Sequence, residues 1–178
     1  QSAFMGQAKA LPKEWLDPLQ VEGWGYRRKA RLGVRYVNKK DKVLVGFRER
    51  KSSFITVMER CEVLHPLLGD NLELLGECIG KLSVKFHVPQ IEVAIAELDT
   101  ILILRHLQSL TREDEIILQE YGEKLKVTWY TQSGGLETVK PLNEAVSLNY
   151  SLSDHDIKMS FLPTDFTQVN FELNQKMI

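Results

Sequence analysis

Eight consecutive residues, Trp24-Gly25-Tyr26-Arg27-Arg28-Lys29-Ala30-Arg31, hold four cations and two aromatics. Guanidinium and ammonium groups neutralise phosphates, and aromatic faces stack on unpaired bases. A polyanion with exposed bases, and so RNA, is the ligand such a surface suits first. The plainer alternative is a solvated basic hairpin with no ligand, because charge runs commonly face water. The remaining chemistry is sparse. Cys61 lies between Arg60 and Glu62 outside any clear apolar face, whereas Cys78 borders a helical apolar stripe and reads as a small core hydrophobe. The histidines at 65, 87, 106 and 155 have no metal-ligand spacing among themselves. His87 and His155 read as turn or surface residues, and His106 as the end of a buried strand capped by a backbone partner. The chain contains no Gly-x-Gly-x-x-Gly, no phosphate-binding loop and no Cys-x-x-Cys pair. By this inventory it carries no catalytic centre of its own.

Charge sharpens the picture. The 178 residues sum to −1, yet residues 24–51 hold 11 Lys/Arg against only Asp41 and Glu49. A field that local matters more to a polyanion than the total charge does. No apolar run is long enough to span a membrane, and no signal-peptide pattern opens the chain. Two cysteines make no disulfide framework and fit a reducing, cytoplasmic compartment. Gln1 and the polar-apolar pattern that stops at Ile178 are expected to mark a piece of a longer chain.

The elements that must position these residues follow from periodicity. Residues 31–37 and 43–48 alternate around the turn Asn38-Lys39-Lys40-Asp41, which predicts a hairpin with its arginines along one face. Residues 54–58 predict a third strand. Leu68, Leu72, Leu75, Ile79 and Leu82 step by 4, 3, 4 and 3, the stripe of one amphipathic helix. Strands are expected at 91–96, 101–104, 127–131, 148–150 and 157–161. A second helix is expected over 111–125, opened by Thr111 with Asp114 as a capping box, and a last one from about Phe166. Hairpins dominate, so the expected class is α+β: an antiparallel sheet built from hairpins with two packed helices.

Three stretches, taken together, resemble one family. They are Trp24 to Arg31 followed by Val45-Gly46-Phe47-Arg48, then Cys61-Glu62-Val63-Leu64-His65-Pro66, then Phe161-Leu162-Pro163-Thr164-Asp165-Phe166-Thr167-Gln168-Val169-Asn170 with Asn174-Gln175-Lys176-Met177 after it. They are similar to the S-adenosylmethionine-dependent RNA uracil-5-methyltransferases, nearest the iron–sulfur branch acting on 23S ribosomal RNA. The resemblance covers residues 24–178. It implies a connector at 1–23, a central α+β RNA-binding domain at 24–162, and the first residues of a Rossmann-like methyltransferase domain at 163–178. It implies S-adenosyl-L-methionine and a [4Fe–4S] cluster as cofactors of the whole enzyme, 23S rRNA as partner, and neither DNA nor membrane. Residue by residue, Gln168 matches the cofactor-contacting glutamine. Arg31 and Phe166 match RNA-binding positions, with Arg27, Arg28 and Lys29 as weaker phosphate candidates. Cys61 matches the last of four cluster ligands; with the other three absent it is expected as a free thiol. The nucleophilic cysteine and general base of that chemistry match no residue here. A transfer-RNA methyltransferase, a free-standing RNA-binding module and a domain docking an acidic protein are the alternatives.

Overall fold

A computed structural model describes residues 13–52 and 54–178. Residues 1–12 of the connector expected at 1–23 therefore lie outside the described residues, and 13–23 contain no helix or strand. The strands are β1 (Lys29–Val37), β2 (Lys42–Gly46), β3 (Gln90–Ile95), β4 (Thr100–Arg105), β5 (Thr128–Gln132), β6 (Lys140–Pro141), β7 (Leu148–Leu152) and β8 (Ile157–Phe161). The helices are α1 (Pro66–Gly69), α2 (Leu72–Lys81), α3 (Arg112–Leu125) and α4 (Phe171–Met177). Six strands form one sheet in the order β2-β1-β3-β4-β5-β6, and β7 with β8 forms a separate hairpin. All pairs are antiparallel except β4 with β5, which α3 joins as a parallel crossover. The class is α+β, as expected. The single crossover was not legible in the sequence, because a short apolar strand followed by a helix reads the same in either direction.

Alternation on β1 divides the molecule. Ala30, Leu32 and Val34 point to the main core, where α2 and α3 cover the sheet and Leu75, Cys78, Ile79 and Leu118 are fully buried. The opposite side carries a smaller apolar cluster of Ala94, Ala96, Ile101, Ile103 and Tyr130, closed by Leu148 at the start of the separate hairpin. On that same side β1 presents Lys29, Arg31, Gly33 and Arg35. A side chain at Gly33 would overlap Ile55, so the bare glycine is what lets residues 54–56 fold back over the sheet. Gly76 plays the matching role beneath α2: a Cβ there would sit 2.9 Å from the Val43 carbonyl. Gly76→Ala should lower stability by about 1 kcal/mol, since displaced backbone outweighs the gain in helix propensity. A denaturant titration of both proteins measures it.

Three expectations need correction. Residues 54–58 are not a strand of the sheet. Only Ile55 bridges, to Arg48, while Thr56 N–H donates to Phe47 O at 2.9 Å. The apolar stripe from Leu68 to Leu82 spans two helices rather than one. The break comes at Asp70 and Asn71, where the Asn71 amide donates to the Leu67 carbonyl at 2.9 Å and competes with the helical pattern. The last helix begins at Phe171, not Phe166, and Asn170 caps it by accepting from Leu173 N–H at 2.9 Å. The capping box of α3 is present as expected, with both reciprocal bonds between Thr111 and Asp114.

Candidate nucleic-acid and cofactor interface

The basic run is built into the protein before it can meet any ligand. Residues 25–27 lie alongside 62–65: Gly25 N–H donates to Glu62 O at 2.7 Å and Arg27 N–H to Val63 O at 3.0 Å. One residue on, Arg28 N–H donates to Val169 O at 2.9 Å, while Arg28 O accepts from Ile95 N–H at 3.0 Å. The strip 162–170, a turn followed by irregular chain, is thus attached to the start of β1, which is why no helix forms at Phe166. The side chains reinforce the attachment. Arg28 donates to Ala96 O at 2.8 Å, with its guanidinium 5.0 Å from the Phe171 ring centre. Lys29 Nζ donates to Pro163 O at 2.8 Å and also to Asp165 O. Burial holds the Lys29 ammonium below the ordinary lysine value, opposed by the carboxylates of Glu92 and Asp165. Arg27 bonds Lys29 O through Nε at 3.1 Å and lies 5.5 Å from the Phe47 ring centre. Arg27, Arg28 and Lys29 are half-buried and directed at protein acceptors and rings.

Arg31 differs. Two residues after Lys29 on the same side of β1, its side chain is 68% exposed and pairs with Glu92 at 3.0 Å, directly opposite on β3. Gln90 donates to the same Glu92 oxygen at 2.9 Å, so Arg31 is oriented yet keeps donors for a further partner. Phe166, 85% exposed, follows Asp165 on the strip that Lys29 holds, and Gln168 is exposed two residues later. Asp165 fixes the turn before them by accepting from Leu162 N–H at 2.7 Å. The structure therefore gathers Arg31, Phe166 and Gln168 around the start of β1, although 135 or more residues separate Arg31 from the other two in sequence.

Cys61 is apart from this surface. It is a half-buried free thiol on a cleft of about 450 Å³ shared with Trp24, Arg60, Glu62, Pro66 and Asp70. Among the described residues no group of three His, Cys, Asp or Glu could hold a metal ion. Cys78 sits in the main core, where burial pushes its thiol up to about 12, consistent with a packing role. His65 begins α1 and accepts from Leu67 N–H through Nδ1 at 3.3 Å; burial, then Arg28, lowers its pKa and favours the neutral acceptor. His106 is buried and bonded to Gln108 O at 2.8 Å, the backbone partner expected of it. Among the described residues no helix is long and apolar enough to cross a membrane.

No protein-family profile matches the chain. Curated proteins do. The chain is 61% identical over 178 residues to a 23S rRNA (uracil(1939)-C(5))-methyltransferase RlmD of Vesicomyosocius okutanii. It is 53% identical over 169 residues to the protein of the same name from Nitrosococcus oceani. Over the segment it spans, this chain is similar to 23S rRNA uracil-C5-methyltransferases, of whose length it covers about two fifths. That segment is all of this chain and 40% of the first relative, or 94% and 38% for the second. In three dimensions the chain superposes on the Pyrococcus abyssi tRNA (uracil-54, C5)-methyltransferase, solved with S-adenosyl-L-homocysteine. The TM-score is 0.62 at 16% identity, over 88% of this chain and 40% of that one, which establishes a shared fold.

Proposed function

We propose that this chain is the RNA-positioning part of an S-adenosylmethionine-dependent methyltransferase that makes 5-methyluridine in 23S rRNA. The observation that carries the reading is the attachment of strip 162–170 to Arg28 and Lys29, which places exposed Phe166 and Gln168 at the end of β1 that also carries exposed Arg31. Arg31 contacts RNA phosphate. Phe166 offers a flat face to a base taken out of its stack, as chemistry on a base requires. Arg27, Arg28 and Lys29 serve from below, fixing the surface and adding positive potential. Ribosomal rather than transfer RNA is favoured by 61% identity to an rRNA enzyme against 16% to the tRNA one.

S-adenosylmethionine, when bound, supplies the methyl group. Gln168 fits it as an exposed amide that donates and accepts, suited to amino, carboxylate or hydroxyl groups. In domain terms, 24–162 forms the central RNA-binding unit and 163–178 opens the methyltransferase unit. The chain's donors do not suffice for a [4Fe–4S] cluster, since Cys61 is one thiolate of the usual four. In the whole enzyme Cys61 is one ligand and the others come from elsewhere. A reducing, cytoplasmic setting suits both free thiols.

Gln168→Ala in the full-length protein should weaken S-adenosylmethionine binding about tenfold, the cost of one or two polar contacts, and leave RNA affinity unchanged. Calorimetry with the cofactor decides it, and an unaltered cofactor affinity removes Gln168 from that role.

A further inference from the structure

The β1–β3 ladder ends with Gly33 opposite Gln90, yet β1 continues to Val37. Val34 N–H donates to Pro89 O at 3.0 Å, so this edge of β1 faces residues 85–89. Strand alternation turns the N–H and C=O of Tyr36 to the same side, beyond the last ladder partner. A cleft of about 340 Å³ opens there, bordered by Arg35, Tyr36, Asn38, Lys85, Phe86 and Leu107. Phe86 is 60% exposed, and the Tyr36 ring holds it edge-on with centroids 4.6 Å apart at 69°. Lys85 Nζ lies 5.2 Å from one ring centre and 5.5 Å from the other. Exposed Arg35 stands over the Phe54 ring at 5.4 Å. Among the described residues neither Arg35 nor Lys85 is joined to a carboxylate within salt-bridge distance.

We propose that this cleft seats one unpaired base of an RNA strand, a second contact remote from the Phe166 strip. The base stacks on Phe86, its edge meets the donor and acceptor of the Tyr36 backbone, and flanking phosphates lie on Lys85 and Arg35. Each part answers to a feature of single-stranded RNA: a stacking face, an adjacent donor–acceptor pair as base edges present, and cations for the backbone. An exposed phenylalanine on a bare surface needs only the first. Here the strand edge and two cations converge with it. Every base has a π-face and such an edge, so the contact tolerates sequence and acts in positioning. The inference rests on the RNA-binding reading above.

The test is fluorescence anisotropy on the full-length protein, with a ten-nucleotide oligouridylate and with an abasic ribose-phosphate strand of equal length. Phe86→Ala should weaken oligouridylate binding about tenfold and leave the abasic strand unaffected. Phe86→Trp should restore binding. Lys85→Gln should reduce the salt slope by about 0.7, one single-strand phosphate contact, whereas Phe86→Ala leaves that slope alone. Unchanged melting temperatures confirm folding, as expected for exposed positions. The cleft is overturned if Phe86→Ala leaves oligouridylate affinity unchanged or weakens both strands alike. If Arg31→Ala weakens binding while Phe86→Ala does nothing, only the cleft falls. If the unmodified protein binds neither strand, the RNA-positioning reading falls with it.

Discussion

Replacing Asp114 with alanine is expected to lower the unfolding free energy by about 2–3 kcal/mol. The Asp114 carboxylate accepts Ser83 N–H at 2.6 Å, Ser83 Oγ–H at 2.7 Å and Thr111 N–H at 2.9 Å. One side chain therefore caps α3 and ties it to the end of α2, joining the two helices that cover the main core. Alanine removes both acceptor oxygens, and with them all three bonds, and leaves the Ser83 and Thr111 donors to find water. For a domain of this size the melting temperature should fall by roughly 5–10 °C. The same group sets a pH dependence. Burial works against its charge, but the bonds from Thr111 and Ser83 prevail and hold the carboxyl below the ordinary aspartate value. Its contribution is therefore complete above the unfolded value near pH 4 and is lost as pH falls through the lower folded value. Unfolding curves of the parent should weaken below about pH 4, and those of Asp114→Ala should weaken less. Parallel acid dependence in the two proteins would remove Asp114 as the cause.

Arg31→Ala should separate binding from stability. The Arg31–Glu92 pair lies on an open sheet face, so its loss should cost under about 1 kcal/mol of stability. RNA affinity of the full-length protein should fall on the order of tenfold, and the salt slope by about one contact's worth. Glu92→Gln should act the other way, because it releases the guanidinium from its carboxylate and raises the local potential. Anisotropy titrations at three salt concentrations supply both numbers. A loss of affinity with an unchanged slope would mean that Arg31 acts through packing and not on phosphate.

Much of this was legible in the chain. Alternation along 31–37 gave the face on which Arg31 and Arg35 stand, and the Thr111–Asp114 spacing gave the cap. The apolar run 101–104 gave the centre of β4, where all four residues are buried. The motifs around Arg31, Cys61 and Gln168 pointed to a family that the 61% identity then supported. Other features were hidden because they depend on partners distant in sequence. Asp114 looked like a cap for its own helix, and nothing local says that Ser83, 31 residues away, shares it. The Phe86 cleft was missed altogether, since a lone aromatic after an amphipathic helix carries no signal until the strand edge beside it is known to be unpaired.

The run from Trp24 to Arg31 shows the division most plainly. Residue types alone determined that four cations and two aromatics stand together at the entry to a strand, because charge density and alternation are local properties. Only the tertiary structure decided which of those cations stays exposed. Arg28 and Lys29 lie where the 162–170 strip crosses the start of β1, and the carbonyls of Ala96, Pro163 and Asp165 take their donors. Arg31, two residues further along the same face, lies beyond that strip and stays in water. Burying a cation requires acceptors to replace its hydration, and those acceptors come from residues more than sixty positions away. Residue types set how much charge this run carries; long-range contacts divide it between holding the fold and facing solvent.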